Sequence, residues 1–302
     1  MGGFDFDKFD FRLREWPQIS IVTPCLNGGR YLEETINSVL NQGYPRLEYI
    51  IIDGGSADDS VKIIKKYESQ LAYWVSEKDG GLYDGIQKGF EKAGGEVMAW
   101  IGSDDMYHPK ALFTVAELFS RYKEIKWLAG ATTKFDEYGR TVHVSQSQKF
   151  VRWDFLMGDY KWLQQESCFW HRSLWEQAGS FLNRELRYAG DFDLWMRFFR
   201  YEKLHITNAL IGGFRERSSD QLSLDGMESY LAEAEKIIQQ EKLSKSELKI
   251  LKKYKIVKRA LGIINKAKII NTEKILNKFK ENVFGTKRSI SFDRIKQIYV
   301  YN

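Results

Sequence analysis

The chain has 302 residues, 43% hydrophobic and 29% charged, a balance that excludes disordered and fibrous classes and gives enough length to bury a sizeable core. No apolar run reaches the ~18–20 residues of a membrane-spanning helix, no signal-peptide pattern opens the sequence, and two cysteines (Cys25 and Cys168) are too few for a disulfide framework, so a cytoplasmic protein is expected. The net charge of +5 hides an asymmetry: residues 241–302 hold 17 Lys+Arg against 5 Asp+Glu, a local +12, and leave residues 1–240 at about −7.

Residues 1–16 alternate Phe and Asp around Lys8 and read as an N-terminal arm. A β-branched strand at 19–22 runs into a turn at Pro24-Cys25-Leu26-Asn27-Gly28-Gly29, and apolar positions Leu32, Ile36, Val39 and Leu40 predict a helix over 31–41. A second strand over 47–52 ends at Asp53-Gly54-Gly55-Ser56, before a helix over 58–67 with Ser56 or Asp58 as N-cap. A third strand over 72–75 leads to Asp79-Gly80-Gly81 and a helix over 83–93. Strand 97–101 then delivers Gly102-Ser103-Asp104-Asp105 ahead of a helix over 109–122. Such alternation implies right-handed βαβ units and a mostly parallel sheet, with the four Gly- and Asp-rich loops gathered at one edge as a ligand crevice. Residues 123–225 lose the alternation and become rich in Trp. From Glu228 the chain reads as helical and polar, with Ser244 and Glu247 as a capping box before the stripe Leu248, Leu251, Tyr254, Val257, Leu261.

Several acidic residues admit two readings. Asp104 and Asp105 are either a solvated turn or a site for a hard divalent cation completed by substrate phosphates. Asp53 is either an Asx-turn residue before Gly54 or a partner for a base or ribose, and Asp79 and Asp84 share that ambiguity. Asp191 and Asp193 suit the N-terminal dipole of a helix, but a carboxylate screened from water there also suits a general base. The chain lacks both G-x-G-x-x-G and G-x-x-x-x-G-K-[ST], so phosphate binding would fall to a metal and helix N-termini.

Six segments occur in order: Thr23-Pro24-x-Leu26-Asn27, Ile52-Asp53-Gly54-Gly55-Ser56-x-Asp58, Asp79-Gly80-Gly81-Leu82-Tyr83-Asp84-Gly85-x-x-Lys88-Gly89, Ser103-Asp104-Asp105, Gln165-x-Ser167-x-Phe169-Trp170 and Asp191-x-Asp193-Leu194-Trp195-x-Arg197. Together they resemble the family 2 glycosyltransferases of GT-A fold, over roughly residues 17–225. The resemblance implies an α/β, Rossmann-like, mostly parallel sheet flanked by helices, with residues 226–302 as a basic helical C-terminal extension. It also implies an inverting, non-processive transferase that takes a nucleotide-diphosphate sugar, most often UDP-linked, with Mn²⁺ or Mg²⁺. Residue by residue, it places Pro24, Asn27, Asp53, Asp79, Tyr83, Lys88 and Asp104 on the donor. Asp104 and Asp105 fall on the metal, Gln165, Trp170 and Asp193 on the acceptor side, and Asp191 at the catalytic base. Two departures stand out: Gly102 replaces the first acid of the fuller Asp-x-Asp-Asp form, and Arg217 of Phe214-Arg215-Glu216-Arg217 takes the place of a His common in related enzymes.

The aromatic-rich half suggests core packing, with Trp170 or Trp162 as an alternative stacking platform for an acceptor sugar. The acceptor class implied is a saccharide or lipid-linked saccharide in polysaccharide or glycoconjugate assembly. The basic tail reads as a solvated face, a peripheral contact with anionic lipid on the inner face of the cell membrane, or a self-association surface; nothing in it resembles a nucleic-acid reader. A nucleotidyltransferase and a catalytically inactive sugar-binding scaffold are the competing function classes. The first lacks its Gly-rich basic loop, and retention of Asp53, Asp104, Asp105 and Asp191 argues against the second.

Overall fold

Strict two-residue alternation in the first strands decides the layering, because successive side chains leave opposite faces of a sheet. Strands β1 (Ile19–Cys25), β2 (Leu47–Asp53) and β4 (Val97–Trp100) send Ile19, Ile21, Tyr49, Ile51, Val97 and Ala99 to one face. Val22, Ile50, Ile52, Met98 and Trp100 go to the other. The first face is covered by Leu32, Ile36 and Val39 of α1 (Leu32–Leu40), Ile64 of α2 (Ser60–Tyr67) and Leu112 and Val115 of α4 (Ala111–Arg121). The second is covered by α3 (Leu82–Lys92), α6 (Arg172–Gln177), α7 (Gly190–Phe198) and α8 (Met227–Gln240). The result is a three-layer α/β sandwich, in a computed structural model that describes residues 16–145, 151–158, 163–218, 226–265, 275–276, 278, 289–296 and 298–301.

The central sheet has nine strands in the order β13-β12-β10-β6-β9-β4-β1-β2-β3. The further strands are β3 (Tyr73–Ser76), β6 (Trp127–Ala129), β9 (Cys168–His171), β10 (His205–Thr207), β12 (Ser289–Asp293) and β13 (Ile298–Tyr301). β3, β2, β1 and β4 are mutually parallel, as the alternation predicts. β9 is inserted antiparallel between β4 and β6, and this is why the regular pattern dissolves after residue 123. A second sheet, β5 (Met106–Tyr107), β11 (Gly212–Arg215), β7 (Thr132–Phe135) and β8 (Thr141–Ser145), sits beyond the β4 end.

The C-terminal region differs from the helical extension expected. Helices α8 and α9 (Lys245–Asn265) are present, and Ser244 and Glu247 form the reciprocal capping box. The chain then returns as β12, parallel to β10, and β13, antiparallel to β12, widening the central sheet. Apolar Ile290 is fully buried there, so this segment belongs to the sheet rather than to a helical appendage. Of the N-terminal arm, only Trp16 falls within the described residues, edge-on to Tyr44 and Phe113.

Candidate active site

Four loops leave the carboxyl ends of β1, β2, β3 and β4 on one edge of the sheet and are tied to each other. The Asn27 amide donates to Ser56 Oγ (2.7 Å), and Asn27 Oδ1 accepts from the Ala57 amide (2.9 Å), while the backbone of Asn27 holds a φ of 52°. The Gly29 amide donates to Asp58 Oδ2 at 2.9 Å. A Cβ added at Gly54 would lie 2.8 Å from Asp79 Oδ2, which joins the second loop to the third. Asn27 is exposed at this edge and Pro24 is buried.

Asp53 takes the Asx-turn role. It is 0% exposed, and its carboxylate accepts from the Gly55 and Ser56 amides (3.2 and 3.0 Å) and from the Ser56 and Ser76 hydroxyls (2.5 and 2.7 Å). Asp79 is half-buried and accepts from the Gly81 amide (2.9 Å). Lys88, expected beside the ribose or diphosphate, pairs with Glu77 (2.9 Å) and Asp84 (3.7 Å), which hold its ammonium above its ordinary range. Tyr83 is buried: its ring lies under Gly190 and its hydroxyl donates to the Tyr188 carbonyl at 2.9 Å.

The β4 loop separates its two acids. The Asp105 carboxylate turns inward, 4% exposed, and accepts from the Arg215 amide at 2.8 Å. Asp104 turns outward, its side chain 23% exposed, with Oδ2 3.2 Å from Arg217 Nε. Both converge over Gly102, where an added Cβ would sit 2.7 Å from Asp105 Oδ2 and 3.1 Å from Asp104 Oδ1. The space of the missing first acid is thus already filled by the other two carboxylates. Arg215 is fully buried behind them, its guanidinium donating to the Asp104 carbonyl (2.6 Å), to Glu34 (2.7 Å) and to the Glu137 carbonyl (3.1 Å). It locks β11 to the carboxylate loop, while Arg217, two residues on, reaches the accessible acid.

A third carboxylate went unread in the sequence. Glu166 occupies the unspecified position of Gln165-x-Ser167, in a 3₁₀ turn (Gln165–Ser167) just before β9, and it is buried. It hydrogen-bonds Asp105 and also senses Asp104 and Asp191. Burial, with repulsion from Asp104 and Glu166, raises Asp105 well above the carboxylate range, and burial, with repulsion from Asp104 and Asp191, pushes Glu166 up to about 7. Desolvation likewise raises Asp104, against the pull of Arg217. Gln165 itself donates to the Trp100 carbonyl at the end of β4 (2.5 Å).

Asp191 opens α7 beside this cluster. Its Oδ1 accepts from the Phe192 amide at 2.7 Å, and burial pushes its pKa up to about 6 despite that bond and the neighbouring Tyr83 hydroxyl. Asp193 binds Arg197 one turn along (2.9 and 3.0 Å), which in turn holds the carbonyls of Ala178 and Phe181. Trp170 is 0% exposed, packed against Trp100, Phe90 and Trp195, and offers no ring face to a sugar. Trp162 lies outside the described residues.

The donor set fits a hard divalent cation through its chemistry, since Asp104 and Asp105 offer carboxylate oxygens. Among the described residues no group of three or more His, Cys, Asp or Glu forms a metal cluster, so substrate oxygens would have to complete the coordination.

A family model described as glycosyl transferase family 2 matches residues 20–179. An uncharacterized glycosyltransferase of Rickettsia typhi is 24% identical over 224 residues, covering 72% of this chain and 70% of that protein. Other curated relatives extend further beyond the match, which spans 63% and 33% of their length. Among solved structures, S. aureus TarS in complex with UDP-GlcNAc superposes with a TM-score of 0.62 at 17% identity, over 78% of this chain and 70% of that one. The mannosyltransferase PcManGT from Pyrobaculum calidifontis, in complex with GDP-Man and Mn²⁺, gives 0.58 at 15% identity, over 76% and 67%. At these identities the structural likeness concerns the fold.

Proposed function

The chain belongs to glycosyl transferase family 2, and from that premise we propose that it is an inverting, metal-dependent, non-processive enzyme moving a sugar from a nucleotide diphosphate, most readily UDP, to an acceptor hydroxyl. The observation that carries this reading is the pairing of an outward carboxylate, Asp104, with a half-buried carboxylate of raised pKa, Asp191, across Glu166. A general base works best when its pKa lies near the operating pH, and about 6 meets that condition for Asp191.

In this reading Asp191 accepts the acceptor hydroxyl's proton as its oxygen bonds to the anomeric carbon. The bond from that carbon to the diphosphate oxygen breaks, with its electron pair leaving on the diphosphate. One displacement from the opposite face inverts the carbon. Asp104, the accessible acid, would be the direct ligand of Mn²⁺ or Mg²⁺, and Asp105 would support it from within. A bound cation supplies Lewis-acid stabilisation of the charge that develops on the leaving diphosphate. Arg217 can transfer its pairing from Asp104 to the diphosphate, adding a fixed positive charge on the leaving-group side.

UDP-GlcNAc in the TarS complex and GDP-Man with Mn²⁺ in the PcManGT complex support nucleotide sugars and a divalent cation as the first probes. The acceptor we favour is a saccharide or lipid-linked saccharide, consistent with α9, whose exposed Lys249, Lys252, Lys253 and Arg259 flank exposed Leu248 and Ile256. A peripheral contact with anionic lipid suits that surface. The deciding experiment is thermal unfolding with UDP-GlcNAc, UDP-Glc or GDP-Man, each with Mn²⁺ and with a chelator. A ligand at 100 times its Kd stabilises by about 2.7 kcal/mol. One of the three should raise Tm, and the rise should shrink when the chelator removes the cation. No rise with any of them would refute the proposal.

A further inference from the structure

Resting on the reading of Asp191 as base, we infer that Glu233 of α8 is a positioning residue for it, which makes the C-terminal helix part of the catalytic apparatus. Glu233 lies beyond the family-matched segment 20–179 and more than forty residues after the loop it grips. Its Oε2 accepts from the amides of Tyr188 (2.9 Å) and Ala189 (2.8 Å), and its Oε1 from the amide of Arg187 (3.1 Å). Three consecutive N–H groups on one carboxylate are charge-assisted bonds that fix the loop's backbone as an anion-binding concavity. The next two residues are Gly190 and Asp191.

The opposite side of the same loop is held by Tyr83, whose hydroxyl accepts no slack: it donates to the Tyr188 carbonyl at 2.9 Å. Its ring fills the space where a Gly190 side chain would go, with Cδ2, Cε2 and Cζ each 2.7 Å from an added Cβ. The loop is therefore clamped by its amides to α8 and by its carbonyl to α3. Glu233 is itself set by the stripe Tyr230, Ala234 and Ile237, which buries α8 against the α7 face, with Tyr230 edge-on to Phe192 at 6.3 Å. Asp191 is faced by Tyr83 from α3, Tyr230 and Glu233 from α8, and Glu166 from the turn before β9. Of these, Glu233 adds to burial in raising the carboxyl's proton affinity. It thus acts on both the position and the charge of the base.

The test compares wild type with Glu233→Gln, Glu233→Ala, Asp191→Asn and the control Glu235→Gln, whose exposed side chain accepts a hydrogen bond from Gln239 of the same helix (3.3 Å). UDP release from UDP-GlcNAc with Mn²⁺ gives kcat and donor KM, and hydrogen exchange reports the amides of 187–189. A displacement near 1 Å can cost roughly a hundredfold in rate. Glu233→Ala should accordingly lower kcat by about a hundredfold, and Glu233→Gln, which keeps one acceptor oxygen, by about tenfold. Donor KM should stay within about twofold, since the donor loops are untouched. The 187–189 amides should exchange faster in both variants, and Glu235→Gln should match wild type. Unchanged exchange, unchanged kcat, or a loss of kcat matched by donor KM would overturn the inference alone. Full turnover by Asp191→Asn would instead overturn the base reading, and no UDP release by wild type would overturn the donor reading on which both rest.

Discussion

Replacing Asp191 by Asn should make this protein more stable and inactive at once, with a dependence on pH that fixes the cause. The carboxyl moves from its ordinary 3.8 to about 6, chiefly because burial disfavours its charge. At about 1.36 kcal/mol per unit, carrying the ionised form in the fold costs about 3 kcal/mol at most. The side chain keeps partial access to water, so about 1–2 kcal/mol of that should reach stability after screening. The sign follows from the raised value: the wild type loses nothing below about pH 4, where the group is protonated folded or unfolded, and loses stability as pH rises through about 6. Asn keeps an oxygen for the Phe192 amide and never ionises. Thermal unfolding should therefore give matching Tm values for the two proteins at pH 4 and a variant higher by about 2–8 °C at pH 8, at about 2–4 °C per kcal/mol. Transfer at pH 8 should vanish in the variant, while wild-type activity should fall on the acid side with a midpoint near 6. A Tm difference that does not change with pH, or a variant that still transfers sugar, would refute the reasoning.

Two further expectations use other parts of the molecule. Gly190→Ala drives a methyl to 2.7 Å from three Tyr83 ring atoms, so it should cost about 1–3 kcal/mol of stability and cut transfer strongly. Wild-type turnover in that variant, measured alongside its Tm, would show that the Tyr83–Gly190 packing does not place the base. Reversing Lys249, Lys252 and Lys253 of α9 to Glu should abolish sedimentation with phosphatidylglycerol vesicles, since each cation near such a surface contributes about 1 kcal/mol. Equal partitioning of both proteins would discard the lipid contact.

The first 120 residues were readable because their information is local. Alternating apolar residues and Gly-Asp loop ends specify β1 to β4, and their order and spacing imply the shared edge whose loops carry Asn27, Asp79 and Asp104. The same local logic picks out Asp191 at a helix start and the capping box at Ser244. It fails for β9, whose antiparallel place between β4 and β6 depends on partners about 40 to 75 residues away. It fails too for β12: Ser-Ile-Ser-Phe-Asp alternates, but only a vacant edge beside β10 makes that alternation a strand of the central sheet.

Which carboxylate does what was a tertiary decision throughout. By sequence, Asp53, Asp104, Asp105, Asp191 and Asp193 are alike: short acids after Gly, Ser, an apolar residue or, for Asp105, another Asp. The fold closes Asp53 into its own turn, spends Asp193 on Arg197, turns Asp105 inward against Glu166 and leaves Asp104 facing the crevice. The chain by itself determined that acidic, Gly-rich loops gather at the carboxyl ends of the parallel strands, because strand period and loop chemistry are encoded within a few residues. Only the tertiary structure decided exposure, desolvation and the distant clamps from Tyr83 and Glu233, because a carboxylate's charge state and aim depend on neighbours that the sequence does not place beside it.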